Sequence, residues 1–94
     1  MKHAGVETLD ALEPLIAELR TLEGPKEKKH GVFYLKSRAF LHFHEDPAGH
    51  FCDVRLDPAA DFERFPVNTK TQQRDLLKRV TSTLDALGQG RPKP

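Results

Sequence analysis

Three of the five histidines and the single cysteine fall within Ala39–Leu56, AFLHFHEDPAGHFCDVRL. Imidazole nitrogen and thiolate sulfur are donors that zinc and other borderline metals prefer, provided they converge on one point. Asp46-Pro47-Ala48-Gly49 reads as the turn that decides this. Proline presets φ at the second turn position, and glycine accepts the left-handed position that follows. A type I turn closed by a glycine bulge sets Asp46 opposite His50, pairs His44 with Cys52, and pairs His42 with Val54. Alternation then gathers Phe40, His42, His44, His50, Cys52, Val54 and Leu56 on one face. This is a candidate metal site of His42, His44, His50 and Cys52, with zinc as the ion such a set would take. A one-residue change of register would separate His42 and His44 from Cys52. The plainer reading takes precedence: the histidines border the core, bonded to Asp46 or Glu45, and Cys52 is a small buried hydrophobe. No cofactor is expected on that reading.

Catalytic constellations are absent from the sequence. It has no nucleophile elbow, no phosphate loop and no diagnostic pair of carboxylates. His44 and Glu45, as neighbours on a strand, point to opposite faces and are badly placed to share a proton. No catalytic residue is assigned, and an enzyme is the less favoured reading. A different chemistry is suggested by Lys26, Lys28, Lys29, Lys36 and Arg38, which lie beside Phe33 and Tyr34. Cations there would neutralise phosphates and exposed rings would stack on bases, a nucleic-acid-binding pattern. Arg74, Lys78 and Arg79 could extend it.

The elements that must position these groups follow from periodicity. Leu12, Leu15, Ile16, Leu19 and Leu22 make one apolar stripe at spacings of three and four, which predicts a helix over Asp10–Glu23. Asp10 and Glu13 stand at capping spacing, Pro14 falls in the first turn, and Gly24-Pro25 ends the helix. Lys26–His30 reads as a charged connector. Val32–Leu35, Ala39–Glu45 and Phe51–Leu56 are strand-length and rich in aromatic or β-branched residues. Pro58–Glu63 suggests one helical turn. A second helix opens at Asn68 or Thr69, with Thr69 and Gln72 at capping-box spacing, and carries Leu76, Leu77, Val80, Leu84 and Leu87 up to Gly88. The expected fold is α+β in the order α-β-β-β-α: a three-stranded antiparallel meander packed against two amphipathic helices. It forms a single domain over residues 1–88, followed by a mobile C-terminal tail, 89–94.

Bulk properties narrow the function classes. The 94 residues are 37% apolar and 31% charged, with a net charge of +1. Charge is blocked along the chain: residues 1–24 net −3, 25–38 net +4, 39–63 net −5 and 64–94 net +5. Blocks of this kind pair within a fold or present a basic face to a partner. One cysteine excludes an intramolecular disulfide, and neither a targeting segment nor a membrane span is visible. A soluble, cytoplasmic protein is expected.

The stretch Gly31–Val67, and within it Val32-Phe33-Tyr34-Leu35-Lys36-Ser37-Arg38-Ala39-Phe40, resembles the MmcQ/YjbR-type small bacterial proteins. The shared features are a strand, a short turn ending in a basic residue, and an aromatic strand start. The resemblance implies a compact α+β fold of largely uncharacterised function, with DNA binding suggested from shape, and transfers no site residue. The turn lacks the family's usual glycine, and the downstream tryptophan-bearing strand is missing. Taken together, the sequence points first to a non-enzymatic interaction module, binding a protein partner or a second copy of itself through an open sheet face or edge. Metal binding and nucleic-acid binding are the alternatives.

Overall fold

The computed structural model describes residues 2–57 and 59–88. The chain runs β1 (Lys2–His3), α1 (Val6–Ala11), α2 (Glu13–Arg20), β2 (Lys26–Lys29), β3 (Val32–Leu35), β4 (Arg38–Asp46), β5 (Gly49–Val54), β6 (Glu63–Pro66) and α3 (Lys70–Ala86). The strands form one antiparallel sheet in the order β2-β3-β4-β5-β6, with β1 also pairing to β4. The α+β class and the antiparallel meander are as expected. Among the described residues, however, the sheet has six strands where three were expected, and there are three helices where two were expected.

Each departure has a local cause. Pro14 offers no N–H to the Asp10 carbonyl and its ring crowds that oxygen, so the expected Asp10–Glu23 helix breaks at Leu12 (φ −94°, ψ 4°). Asp10 therefore lies inside α1, whose N-cap is Gly5. The charged connector Lys26–His30 contains β2, because backbone pairing to β3 needs no apolar side chains. Lysines suit such an edge, which they guard against pairing with other chains. The described residues between Asp57 and Phe62 form no helical turn, and Glu63–Pro66 is instead a strand against β5. α3 begins as predicted: the Thr69 hydroxyl accepts from the Gln72 N–H, and the Gln72 side chain accepts from the Thr69 N–H. The tail expected over 89–94 lies outside the described residues. No helix among the described residues is long and apolar enough to cross a membrane.

The β4–β5 hairpin departs from its expected register by one residue. Asp46 pairs with Gly49, Glu45 with His50, His44 with Phe51, Phe43 with Cys52, His42 with Asp53 and Leu41 with Val54. Two residues, Pro47 and Ala48, close the turn, and Gly49 joins the ladder instead of bulging from it. The His50 N–H, which a bulge would turn back toward Asp46, donates instead to Asn68 Oδ1 at 2.7 Å. Packing drives the same choice, because this register buries Leu41, Phe43, Cys52 and Val54 together. Burying one such side chain contributes about 1.5–3 kcal/mol, more than a turn preference can oppose.

These residues and Phe33 form the inner face of the sheet. They pack into one core with Leu15, Ile16 and Leu19 of α2 and Leu76, Val80 and Leu84 of α3. A bulge between the pairs Phe33–Leu41 and Tyr34–Ala39 skips Phe40, which consequently joins Leu41 in the core. All three helices contribute to the inner side. The opposite face of the sheet is where His42, His44 and Asp53 stand.

Candidate metal centre

Strand alternation and the observed register place five polar side chains along one line of the outer face. His3 pairs with His44, His42 with Asp53, and Asp53 with Arg64. Cross-strand partners share a face, so three imidazoles, one carboxylate and one guanidinium meet there. The His3 and His44 rings stack with centroids 4.7 Å apart, His42 and His44 are also 4.7 Å apart, and His3 and His42 are 5.5 Å apart. One nitrogen from each ring lies within 4.8 Å of the other two. A tetrahedral zinc held at 2.0–2.1 Å needs its nitrogens roughly 3.4 Å apart, so the set must close by up to about 1.4 Å to hold one ion.

Asp53 anchors the group. Its side chain is 8% exposed, and Arg64 grips it with two hydrogen bonds, Nε to Oδ1 at 2.7 Å and Nη2 to Oδ2 at 2.8 Å. Burial works to raise the Asp53 carboxyl. The Arg64 hydrogen bonds and charge, with smaller contributions from His44 and His42, outweigh it and hold the group below its ordinary value. Asp53 Oδ2 lies 3.2 Å from His44 Nε2 and 3.6 Å from His42 Nε2. Both His44 ring nitrogens are buried, and neither makes a well-formed hydrogen bond: the Lys2 backbone and the Asp53 carboxylate are the polar groups that approach the ring. Burial is the main cause lowering the pKa of both His42 and His44. For His42 the neighbouring His44 adds to the effect, and for both Asp53 opposes it. Both rings are thereby biased to the neutral form, the form that ligates a metal.

Beside the histidines, the β5–β6 connection folds over the outer face. Phe62 sets its ring edge against His42 at 4.7 Å, and the Arg55 guanidinium lies 4.4 Å above that ring. Arg55 is held in turn by the carbonyls of Ala39 and Ala60.

The four sequence-predicted ligands do not converge. His42 and His44 belong to the cluster, but Cys52 lies on the opposite face, fully buried in the core, where burial pushes its thiol well up. A thiol so placed is neither accessible nor ionised. His50 shares the inner side with Cys52, opposite Glu45 at the turn. The members that the sequence reading missed are His3, Asp53 and Arg64. For Asp53 a signal existed: pairing apolar with apolar residues across the hairpin puts it opposite His42. For His3, two residues of strand supply no periodicity.

The basic residues fall on two adjoining segments, β2 and the β3–β4 hairpin. Lys26, Lys28 and Lys29 run along β2, with Lys26 opposite Tyr34 and Lys29 opposite Val32 at the other end. Lys36 and Arg38 belong to the β3–β4 hairpin. Phe33, expected as an exposed stacking ring, is 1% exposed and part of the core. Glu27, inside the basic block, is bound by Arg20, which also pairs with Glu13. Comparison of the chain with protein-family models, curated proteins and solved structures finds no match.

Proposed function

We propose that this protein binds a divalent transition-metal ion through His3, His42 and His44, with Asp53 as the carboxylate that orients or completes the set. The observation that carries the reading is the convergence of three imidazole nitrogens within 4.8 Å on one sheet face. The buried nitrogens of His44 support it, since neither makes a well-formed hydrogen bond and a metal bond would satisfy one of them. An all-imidazole set suits zinc, copper, nickel or cobalt over calcium or magnesium, which prefer oxygen. Three protein nitrogens leave a coordination position open to water or a small ligand.

Partner docking on this face ranks lower. Val6 is the large hydrophobic that is well exposed among the described residues, and the outer face offers ionic and imidazole groups in place of an apolar patch.

The test is a zinc and cobalt titration of the full chain, purified without contact with an affinity metal. One equivalent should bind. The cobalt form should show the intense visible bands of a low-coordinate nitrogen site. His42→Ala and His44→Ala should each weaken binding by more than the ~10–100-fold that loss of an outer hydrogen-bonding partner brings. Cys52→Ala should bind as the parent does. Less than a tenth of an equivalent after zinc exposure, or undiminished binding by both histidine variants, would overturn the proposal.

A further inference from the structure

A second site lies away from the histidines, at the end of the sheet where the β3–β4 hairpin meets the last residues after α3. Leu35, Ala39, Phe40 and Leu87 line a cavity of about 190 Å³, and Lys36, Arg38 and Arg55 complete its wall. The cavity follows from the fold. Phe40, which the bulge turns to the core, and Leu87, just past the helix end, both line it. Lys36 stands in its wall with Arg38 and with Arg55, whose guanidinium is already bonded to the carbonyls of Ala39 and Ala60 and lies over Phe62. No carboxylate is found among the described residues that line it.

The turn that presents Lys36 is itself unusual. Lys36 and Ser37 both take positive φ, 51° and 68°, and are the non-glycine residues to do so among those described. A two-residue turn of this kind favours Asn-Gly, which adopts that conformation with little strain. Local backbone strain of this sort is more often retained where the side chain has work to do, and here it sets a lysine at the rim of an apolar cavity.

From this geometry we infer a binding site for a small amphipathic anion, a single apolar ring bearing one carboxylate. Size supports the ring: an apolar cavity of roughly 150 Å³ accommodates benzene, and this one has room for a carboxylate besides. Charge supports the anion, because a carboxylate leaving the ring would meet the Lys36 ammonium, where a neutral or cationic head would not be favoured.

Benzoate is the probe, titrated into the full chain by amide NMR with a chelator present, so that binding at the histidine cluster does not contribute. Saturable shifts are expected at residues 35–40 and 87 by roughly 10 mM benzoate, with benzyl alcohol about tenfold weaker and benzylamine without effect. Lys36→Met should weaken benzoate about fivefold. The paired change Lys36→Asn with Ser37→Gly should raise the Tm while weakening benzoate similarly. Absence of saturable shifts, benzyl alcohol binding as tightly as benzoate, or unchanged affinity in the stabilised double variant would each overturn the site.

Discussion

Asp53 is the residue on which the outer face turns. A carboxylate 8% exposed in the middle of a sheet is kept ionised chiefly by Arg64, which supplies two donors from the next strand. The same carboxylate faces His42 and His44, so it links the ion pair to the imidazoles. Asp53→Asn keeps the volume and removes the charge. Because Arg64 is 46% exposed and can turn to water, the loss is smaller than for a fully buried pair. It should lower stability by about 1–2 kcal/mol in urea melts. If Asp53 orients or ligates as proposed, zinc affinity should fall about tenfold in the same variant by calorimetry. A stability loss with unchanged zinc affinity would assign Asp53 to the fold alone. Cys52 gives the contrasting case, a potential ligand by type that is made inert by its face. Cys52→Ser should be destabilised by about 1–3 kcal/mol, from a hydroxyl placed in the core, and should bind zinc unchanged.

Among the elements, the β4–β5 hairpin shows both what the sequence revealed and what it concealed. Two signals competed within it. Proline and glycine in the turn suggested a bulged closure, whereas the apolar residues Leu41, Phe43, Cys52 and Val54 could share the core only in a two-residue closure. The second signal was readable in the strands themselves and carries more energy. α3 was legible because its stripe and its Thr69–Gln72 cap agree. β2 and β6 were not, because KEKK and ERFP owe their strand state to neighbours that offer hydrogen bonds, not to their own periodicity. β1 was hidden for the same reason, and with it His3. Gly49 is the point where the tertiary structure settles the closure. It has φ 133°, and an added Cβ would lie 2.5 Å from Asn68 Oδ1. Gly49→Ala should therefore cost about 2 kcal/mol in chemical denaturation, from backbone strain and from displacing the side chain that accepts the His50 N–H. A loss near zero would mean that the hairpin end adapts freely and that Asn68 does not hold the register.

For the whole molecule, the neutral histidines make stability depend on pH in a definite direction. The pKa values of His42 and His44 are lowered from 6.5 in the fold, so on acidification the unfolded chain takes up these protons first. Their contribution is therefore complete above about pH 6.5 and is lost as pH falls from there through the folded values. The slope cannot exceed ~1.4 kcal/mol per pH unit for each imidazole. Asp53, lowered from 3.8, acts in the same sense but further down, its contribution disappearing only below that value. Urea midpoints of the metal-free protein should be level at about pH 7–8, decline from about 6.5, and decline again in the carboxylate range. A His42→Gln, His44→Gln double variant should lose the first decline and keep the second. Zinc adds a third dependence, since it stabilises the fold according to its concentration over its dissociation constant, and protons compete for the same nitrogens. The gap between zinc-bound and metal-free midpoints should therefore narrow as pH falls. It should stay open below pH 6.5, because burial has already biased two of the three ligands to the neutral state. A gap that closes above pH 6.5 would place the zinc on ordinary exposed histidines and away from this face.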